Sequence, residues 1–159
     1  MTIKHGSDWD LSIENREGQL VLVVELKRKS AVSPEWVAQL RRNLLARGTF
    51  PKTPYLLMVF PDTLYLWSGA EAYPDYTEPT YAIDASPILQ PYFEGAGVTA
   101  DQISEASLEL IVASWLEEII HADQLPRNID NSQQWLVDSG LYTALAEGKL
   151  VNEANVLCK

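Results

Sequence analysis

Glu25 and Lys27 close the apolar run Leu20–Val24, and Asp10 lies fifteen residues before Glu25. Along a strand, side chains two residues apart share a face, so Glu25 and Lys27 point the same way. Two carboxylates and an ammonium at the end of a buried strand can hold a divalent cation and the anion it activates. Mg²⁺ takes a few carboxylates together with water and phosphate oxygens. Such a cation orients a water and offsets charge on a phosphoryl group, while Lys27 helps deprotonate the water or stabilises the pentavalent phosphorus centre. The bland competitor is a solvated strand face with a surface ion pair, which is common and weak. Val21 and Val23 share the face with Glu25, so something covers that side, and a polar cluster beside a covered surface is a candidate for chemistry.

The strands that carry these residues can be placed in register. Trp9, Leu11 and Ile13 alternate with Asp8, Asp10, Ser12 and Glu14, and Leu20, Leu22, Val24 and Leu26 alternate with Val21, Val23, Glu25 and Lys27. Glu17-Gly18 reads as a two-residue hairpin turn, because Gly accepts positive φ. Arg16 then faces Gln19, and paired residue numbers sum to 35. Trp9, Leu11 and Ile13 lie opposite Leu26, Val24 and Leu22 on one apolar face. On the other face Asp10 lies opposite Glu25, and Asp8 opposite Lys27. Opposed like charges destabilise a sheet, and a shared cation removes that penalty. A slip of one residue would put the acids in the core.

After the hairpin, Ser33-Pro34-Glu35 supplies an N-cap, a proline at the first helical position and an acid in the first turn. Trp36, Val37, Leu40, Leu44 and Leu45 form the helix's buried stripe, and Gly48 stops it. Tyr55–Phe60 is an apolar run between Pro54 and Pro61, as expected of a strand covered on both faces. Pro61-Asp62 turns the chain into Leu64–Trp67. Strand, helix, strand at this spacing is a right-handed crossover joining parallel strands. The expected fold is therefore α/β, with a mixed central sheet made of hairpin, crossover helix and parallel strand. Residues 68–92, with four prolines, read as a long loop with a short strand at Tyr81–Asp84. Ser104 or Ser107 caps a helix through Leu108, Ile111, Val112, Trp115, Ile119 and Ile120. Another helix fits Ser132–Glu147, with Trp135, Leu136, Leu141 and Leu145 inward and Gly140 interrupting it. These last helices form a C-terminal layer.

A chain of 159 residues, 47% of them hydrophobic, reads as one domain, 1–159: a core over 1–67, a loop over 68–100 and a helical layer over 101–159. The first residues lack an apolar signal-peptide region, no stretch reaches membrane-span length, and the one cysteine, Cys158, excludes a disulfide framework; a cytoplasmic protein is expected. The net charge of −10 argues against generic nucleic-acid binding. Its distribution argues the other way locally. Residues 27–52 hold Lys27, Arg28, Lys29, Arg41, Arg42, Arg47 and Lys52 against the lone acid Glu35, a net +6, whereas residues 53–159 hold sixteen acids against three basic residues. The basic stretch begins at the candidate site, as a phosphate-binding surface would. His5 and His121 are isolated. No P-loop, G-x-G-x-x-G, G-x-S-x-G or zinc spacing occurs.

A hairpin bearing Asp10, then Glu25-Leu26-Lys27, then a helix and a buried strand, resembles the PD-(D/E)xK, or restriction-endonuclease-like, nuclease superfamily. The stretch Leu22–Trp67, with Ser33–Trp36 and Gln39–Asn43, and then Tyr92-Phe93 and Glu109–Leu116, looks like uncharacterised, largely cyanobacterial proteins placed in that superfamily. The resemblance implies a sheet of the restriction-endonuclease-like type and a Mg²⁺- or Mn²⁺-dependent nuclease acting on DNA. It implies Asp10 and Glu25 as metal-binding acids, the Leu26 carbonyl as a further ligand, Lys27 as the catalytic lysine and Gln39 as a supporting residue from the following helix. Trp9 stands where the motif has its proline, and the helix that usually precedes the first strand has no room before residue 8. The basic residues of 27–52 would then contact DNA. Two other readings compete: a non-catalytic module of the same fold that binds nucleic acid or a protein, and an assembly domain that forms a homodimer through the Trp115 and Trp135 helices.

Overall fold

A computed structural model describes residues 9–46, 53–69, 78–122 and 131–152. Asp8, Arg47, Gly48, Lys52 and His5, which figured in the sequence reading, lie outside them. Six strands form one sheet: β1 (Leu11–Glu14), β2 (Leu20–Leu26), β3 (Tyr55–Val59), β4 (Thr63–Ser68), β5 (Tyr81–Asp84) and β6 (Lys149–Asn152), in the order β5-β4-β3-β2-β1-β6. β2 and β3 are parallel and joined through helix α1 (Pro34–Ala46). All other neighbours are antiparallel. The fold is thus α/β with a mixed, open sheet.

Alternation divides the strands between two cores. Leu11, Ile13, Leu22, Val24, Leu26, Leu57, Val59, Leu64 and Leu66 face one way. They pack against α2 (Ser86–Ala96), α3 (Glu105–Ile120), α4 (Gln134–Asp138) and α5 (Leu141–Leu145). Val23, Leu56, Met58, Tyr65 and Trp67 face the other way and are covered by Val37 and Leu44 of α1. Each fully buried Leu or Val contributes about 1.5–3 kcal/mol by leaving water, so the face under the four helices dominates the stability.

The hairpin keeps the expected register at Leu11↔Val24, Ser12↔Val23 and Ile13↔Leu22, but its turn differs. Asn15 faces Gln19 (N···O 2.9 Å), and the Gly18 N–H returns to the Asn15 carbonyl (3.0 Å). The loop is therefore the three residues Arg16–Gly18. The Asn15 carboxamide accepts from the Glu17 and Gln19 N–H groups (3.0 and 2.9 Å), which favours this wider closure, and Gly18 supplies the left-handed residue (φ 82°) it needs. The one-residue difference is absorbed between Ile13 and Glu14, where Glu14 pairs with Leu20. Val21 is the extra residue of that bulge.

Further differences concern the helices. The buried positions of α1 are Val37, Ala38, Arg41 and Leu44, while Trp36 is 38% exposed. The stripe is rotated from the expected one, because Arg41 lies under the helix with its guanidinium 5.6 Å from the centroid of Trp67. Part of the expected loop is α2, with Pro87 in its first turn and Pro91 inside it. Ser104 is the cap of α3, its Oγ accepting from the Ser107 N–H at 3.1 Å. Gly140 does break the last helical stretch: at φ 81° it separates α4 from α5. There the Tyr55 hydroxyl donates to the Ser139 carbonyl at 2.7 Å and ties β3 to the helical layer. β6, unforeseen, pairs with β1.

Trp115 and Trp135 are 3% and 7% exposed, with ring centroids 6.1 Å apart. Both are core residues of the helical layer. Among the described residues no helix is long and apolar enough to cross a membrane.

Candidate functional site

The site residues lie where β2 ends and the chain leaves for α1. β2, LVLVVEL, is buried from Leu22 onward. Glu25 is 4% exposed within it. Its side chain projects on the α1 face, as the alternation with Val23 requires. Lys27 follows on the same side. Its Nζ lies 3.8 Å from Glu25 Oε2, with the lysine side chain 39% exposed and the glutamate side chain 6%. The backbone here is fixed, since the Lys27 N–H donates to the Val59 carbonyl at 3.0 Å and extends the parallel ladder. A buried carboxylate is tolerated only with compensating charge or hydrogen bonds, and the half-exposed ammonium supplies part of it.

Asp10 reaches the same three residues by another route. Its N–H donates to the Val24 carbonyl (3.0 Å), one residue short of the partner the register predicts. The chain bends there, and Trp9 packs against the α1-side cluster instead of sharing the face of Leu11. Those two expectations, Asp10 directly opposite Glu25 and Trp9 on the Leu11 face, are thereby corrected. Through the bend, Asp10 Oδ2 accepts from the Leu26 N–H at 2.8 Å. Its carboxylate thus sits on the amide between Glu25 and Lys27.

Gln39 is exposed on α1. Its carboxamide donates to Asn43 Oδ1 (3.2 Å) and accepts from Arg42 Nη2 (3.0 Å). These are contacts of one helix face, and they do not join Gln39 to the acids. Arg41 is buried, which removes it from any surface that could meet DNA, and desolvation lowers its pKa below the ordinary arginine range. Arg28, Lys29 and Arg42 are exposed.

Hard oxygen donors suit Mg²⁺ or Mn²⁺. The residues of this strand end that could hold such a cation are the two carboxylates, Asp10 and Glu25, with the backbone carbonyl of Leu26. Among the described residues no three His, Cys, Asp or Glu side chains gather as a metal-binding group. A cation here would therefore rest on two acids, backbone and water.

Two features escaped the sequence reading. One is the exposure of Trp36 beside this strand end, hidden by an apparent place in the helix stripe. The other lies on the opposite side of the sheet, where Tyr92, Trp115, Glu118, Gln133 and Tyr142 line a cavity of about 580 Å³. There the Tyr92 hydroxyl donates to Glu118. Burial, that bond and the nearby carboxylate charge hold the phenol's pKa well above its usual range. His121, by contrast, is an exposed residue 3.4 Å from Glu117 one turn before it.

Compared with protein-family models, with curated proteins and with solved structures, the chain matches none.

Proposed function

We propose that this chain is a Mg²⁺- or Mn²⁺-dependent phosphodiesterase of the restriction-endonuclease-like type, cleaving DNA by attack of water on a backbone phosphate. One observation carries the reading: a nearly buried Glu25 carboxylate lies 3.8 Å from the Lys27 ammonium, with the Asp10 carboxylate bonded to the amide between them. A divalent cation, when bound, supplies an acidified water and neutralises charge on the phosphoryl oxygens. Asp10, Glu25 and the Leu26 carbonyl would hold it. Burial of Glu25 lowers the local dielectric and strengthens its pull on any cation. Half in solvent, the Lys27 ammonium is reachable by a phosphate and faces the charge that develops on the phosphoryl oxygens in the transition state. Arg28 and Lys29 continue the positive edge beyond it and would steer the nucleic-acid backbone. Gln39, engaged along its own helix, is assigned no part.

A second reading is a non-catalytic module of the same fold that binds nucleic acid or a protein. It is favoured by the use of Asp10 Oδ2 as an acceptor for the Leu26 N–H, which commits one carboxylate to holding the strand end.

Cleavage of single- and double-stranded DNA with Mg²⁺ or Mn²⁺, and in EDTA, separates the two. The phosphodiesterase reading expects metal-dependent cleavage, a calorimetric Mn²⁺ isotherm lost in Glu25→Gln, and a fall of ~10²–10³ in kcat for Lys27→Ala with the thermal melt retained. Cleavage in EDTA, or a Lys27→Ala variant as active as wild type, overturns it. No cleavage of either DNA with either metal selects the binding module.

A further inference from the structure

Trp36 is one of two large hydrophobic side chains exposed among the described residues, and the other, Leu110, lies on α3 beneath the opposite face of the sheet. The indole is mounted rigidly. Phe60, fully buried, meets it edge-to-face with centroids 6.0 Å apart. Phe60 is gripped in turn by the Tyr65 ring at 5.8 Å, and the Tyr65 hydroxyl donates to the Val32 carbonyl just before α1. The backbone N–H of Trp36 donates to Ser33 Oγ at 3.1 Å. Phe60 directly follows Val59, whose carbonyl receives the Lys27 N–H. The platform and the Glu25–Lys27 pair therefore share one short stretch of backbone. Lys29, two residues past Lys27, places its Nζ 5.5 Å from the Trp36 ring centroid.

An exposed, immobilised indole with the Lys29 ammonium over it, on a segment that also carries Lys27 and the exposed Arg28, has the composition of a base-stacking platform. Aromatic faces take unstacked bases of any sequence, and interleaved cations follow the phosphates. A base arriving on Trp36 would replace the Lys29 ammonium, which is free by its long stem to move onto the adjoining phosphate. In a duplex the bases are already stacked on one another and offer no open face.

We infer that the strand end at Glu25–Lys27 takes single-stranded nucleic acid, with one unpaired base stacked on Trp36 and the neighbouring phosphates on Lys29 and Arg28. This rests on the functional reading above in naming a substrate for the same strand end, and its test does not require cleavage.

The test is fluorescence anisotropy of the full chain in EDTA with a short labelled oligothymidylate, the matching oligouridylate, and a duplex of equal length. The expected result is tighter binding of a single strand than of the duplex. Trp36→Ala should weaken that binding ~5- to 150-fold, the range of one lost base–aromatic stack, and leave duplex binding unchanged. Trp36→Phe, which keeps a π-face, should restore most of it, and Lys29→Ala should reduce the salt slope by about 1. The two oligomers report whether deoxyribose or ribose is preferred, and binding of either through Trp36 supports the inference. It is overturned if wild type binds neither single strand, if duplex binds as tightly, or if Trp36→Ala binds as wild type does. Single-strand binding without cleavage would leave this inference standing and remove the phosphodiesterase; cleavage confined to duplex would do the reverse.

Discussion

The face of the sheet under α2 to α5 and the face under α1 share the strands β1 to β4, and alternation hands each its own residues. The first collects only apolar side chains from those strands. The second receives the buried Glu25, and α1 lays the buried Arg41 over it. Among the described residues these are the two buried charges, and both belong to the smaller cluster. Burying charge costs free energy that apolar packing does not. A fold can carry that cost where the other face supplies the bulk of the stability. The two faces divide the labour: one holds the chain folded, and the other has room for groups that would weaken a core.

Core truncation gives the largest test of that division. Leu108→Ala, in the helical layer, should cost ~2–5 kcal/mol, read as a lower urea midpoint. Leu44→Ala, beneath α1, should fall at the low end of the same range. Equal losses would break the comparison.

Charge substitutions sharpen it at the next scale. Arg41→Ala should lower stability by ~1–3 kcal/mol through lost packing and the lost contact with Trp67, while the salt dependence of oligonucleotide binding stays unchanged. Arg28→Ala should do the opposite, keeping the melt and reducing the salt slope by about 1. An Arg41 variant with a reduced slope would return that residue to the binding surface.

The smallest effect lies at alkaline pH on the helical side. Tyr92 has its folded-state pKa raised above the ordinary 10.0, chiefly by burial and then by the Glu118 bond and charge. Tyr55 and Tyr65 are raised in the same direction, mainly by burial. In the unfolded chain these phenols ionise near 10, while the folded protein keeps their protons. Their contribution to stability is therefore complete below about pH 10 and is lost as pH rises beyond it. Tyr92→Phe should make chemical-denaturation stability fall less steeply above pH 10 than in wild type, and an unchanged slope would show that Tyr92 does not contribute.

Much of this was legible in the residues, and what was not has identifiable causes. The alternation of Leu11–Ile13 against Leu22–Val24 set the hairpin register, and the Glu25-x-Lys27 spacing put both groups on one face. The bend at Asp10 was hidden because it depends on a side chain capping a neighbouring strand's amide, a tertiary contact without a local signature. Arg41 looked like surface because an arginine on a helix usually is; an aromatic from another strand, Trp67, helps make its burial tolerable. Pro87 and Pro91 disguised α2, since a proline in the first turn costs little but an interior one removes a helical hydrogen bond. With four residues, β6 is too short for periodicity to reveal. Gly140, whose positive φ has a simple steric reason, announced its break correctly.

The bond from the Leu26 amide to Asp10 couples two equilibria that would otherwise be separate. On the reading proposed above, a cation held by Asp10 and Glu25 would draw on the carboxylate that closes the end of β2. Occupancy of such a site and local opening of that strand end would then be reciprocally linked, each shifting the other by the same free energy. The coupling between fraying of the β2 terminus and binding of an ion would be one quantity measured from two sides.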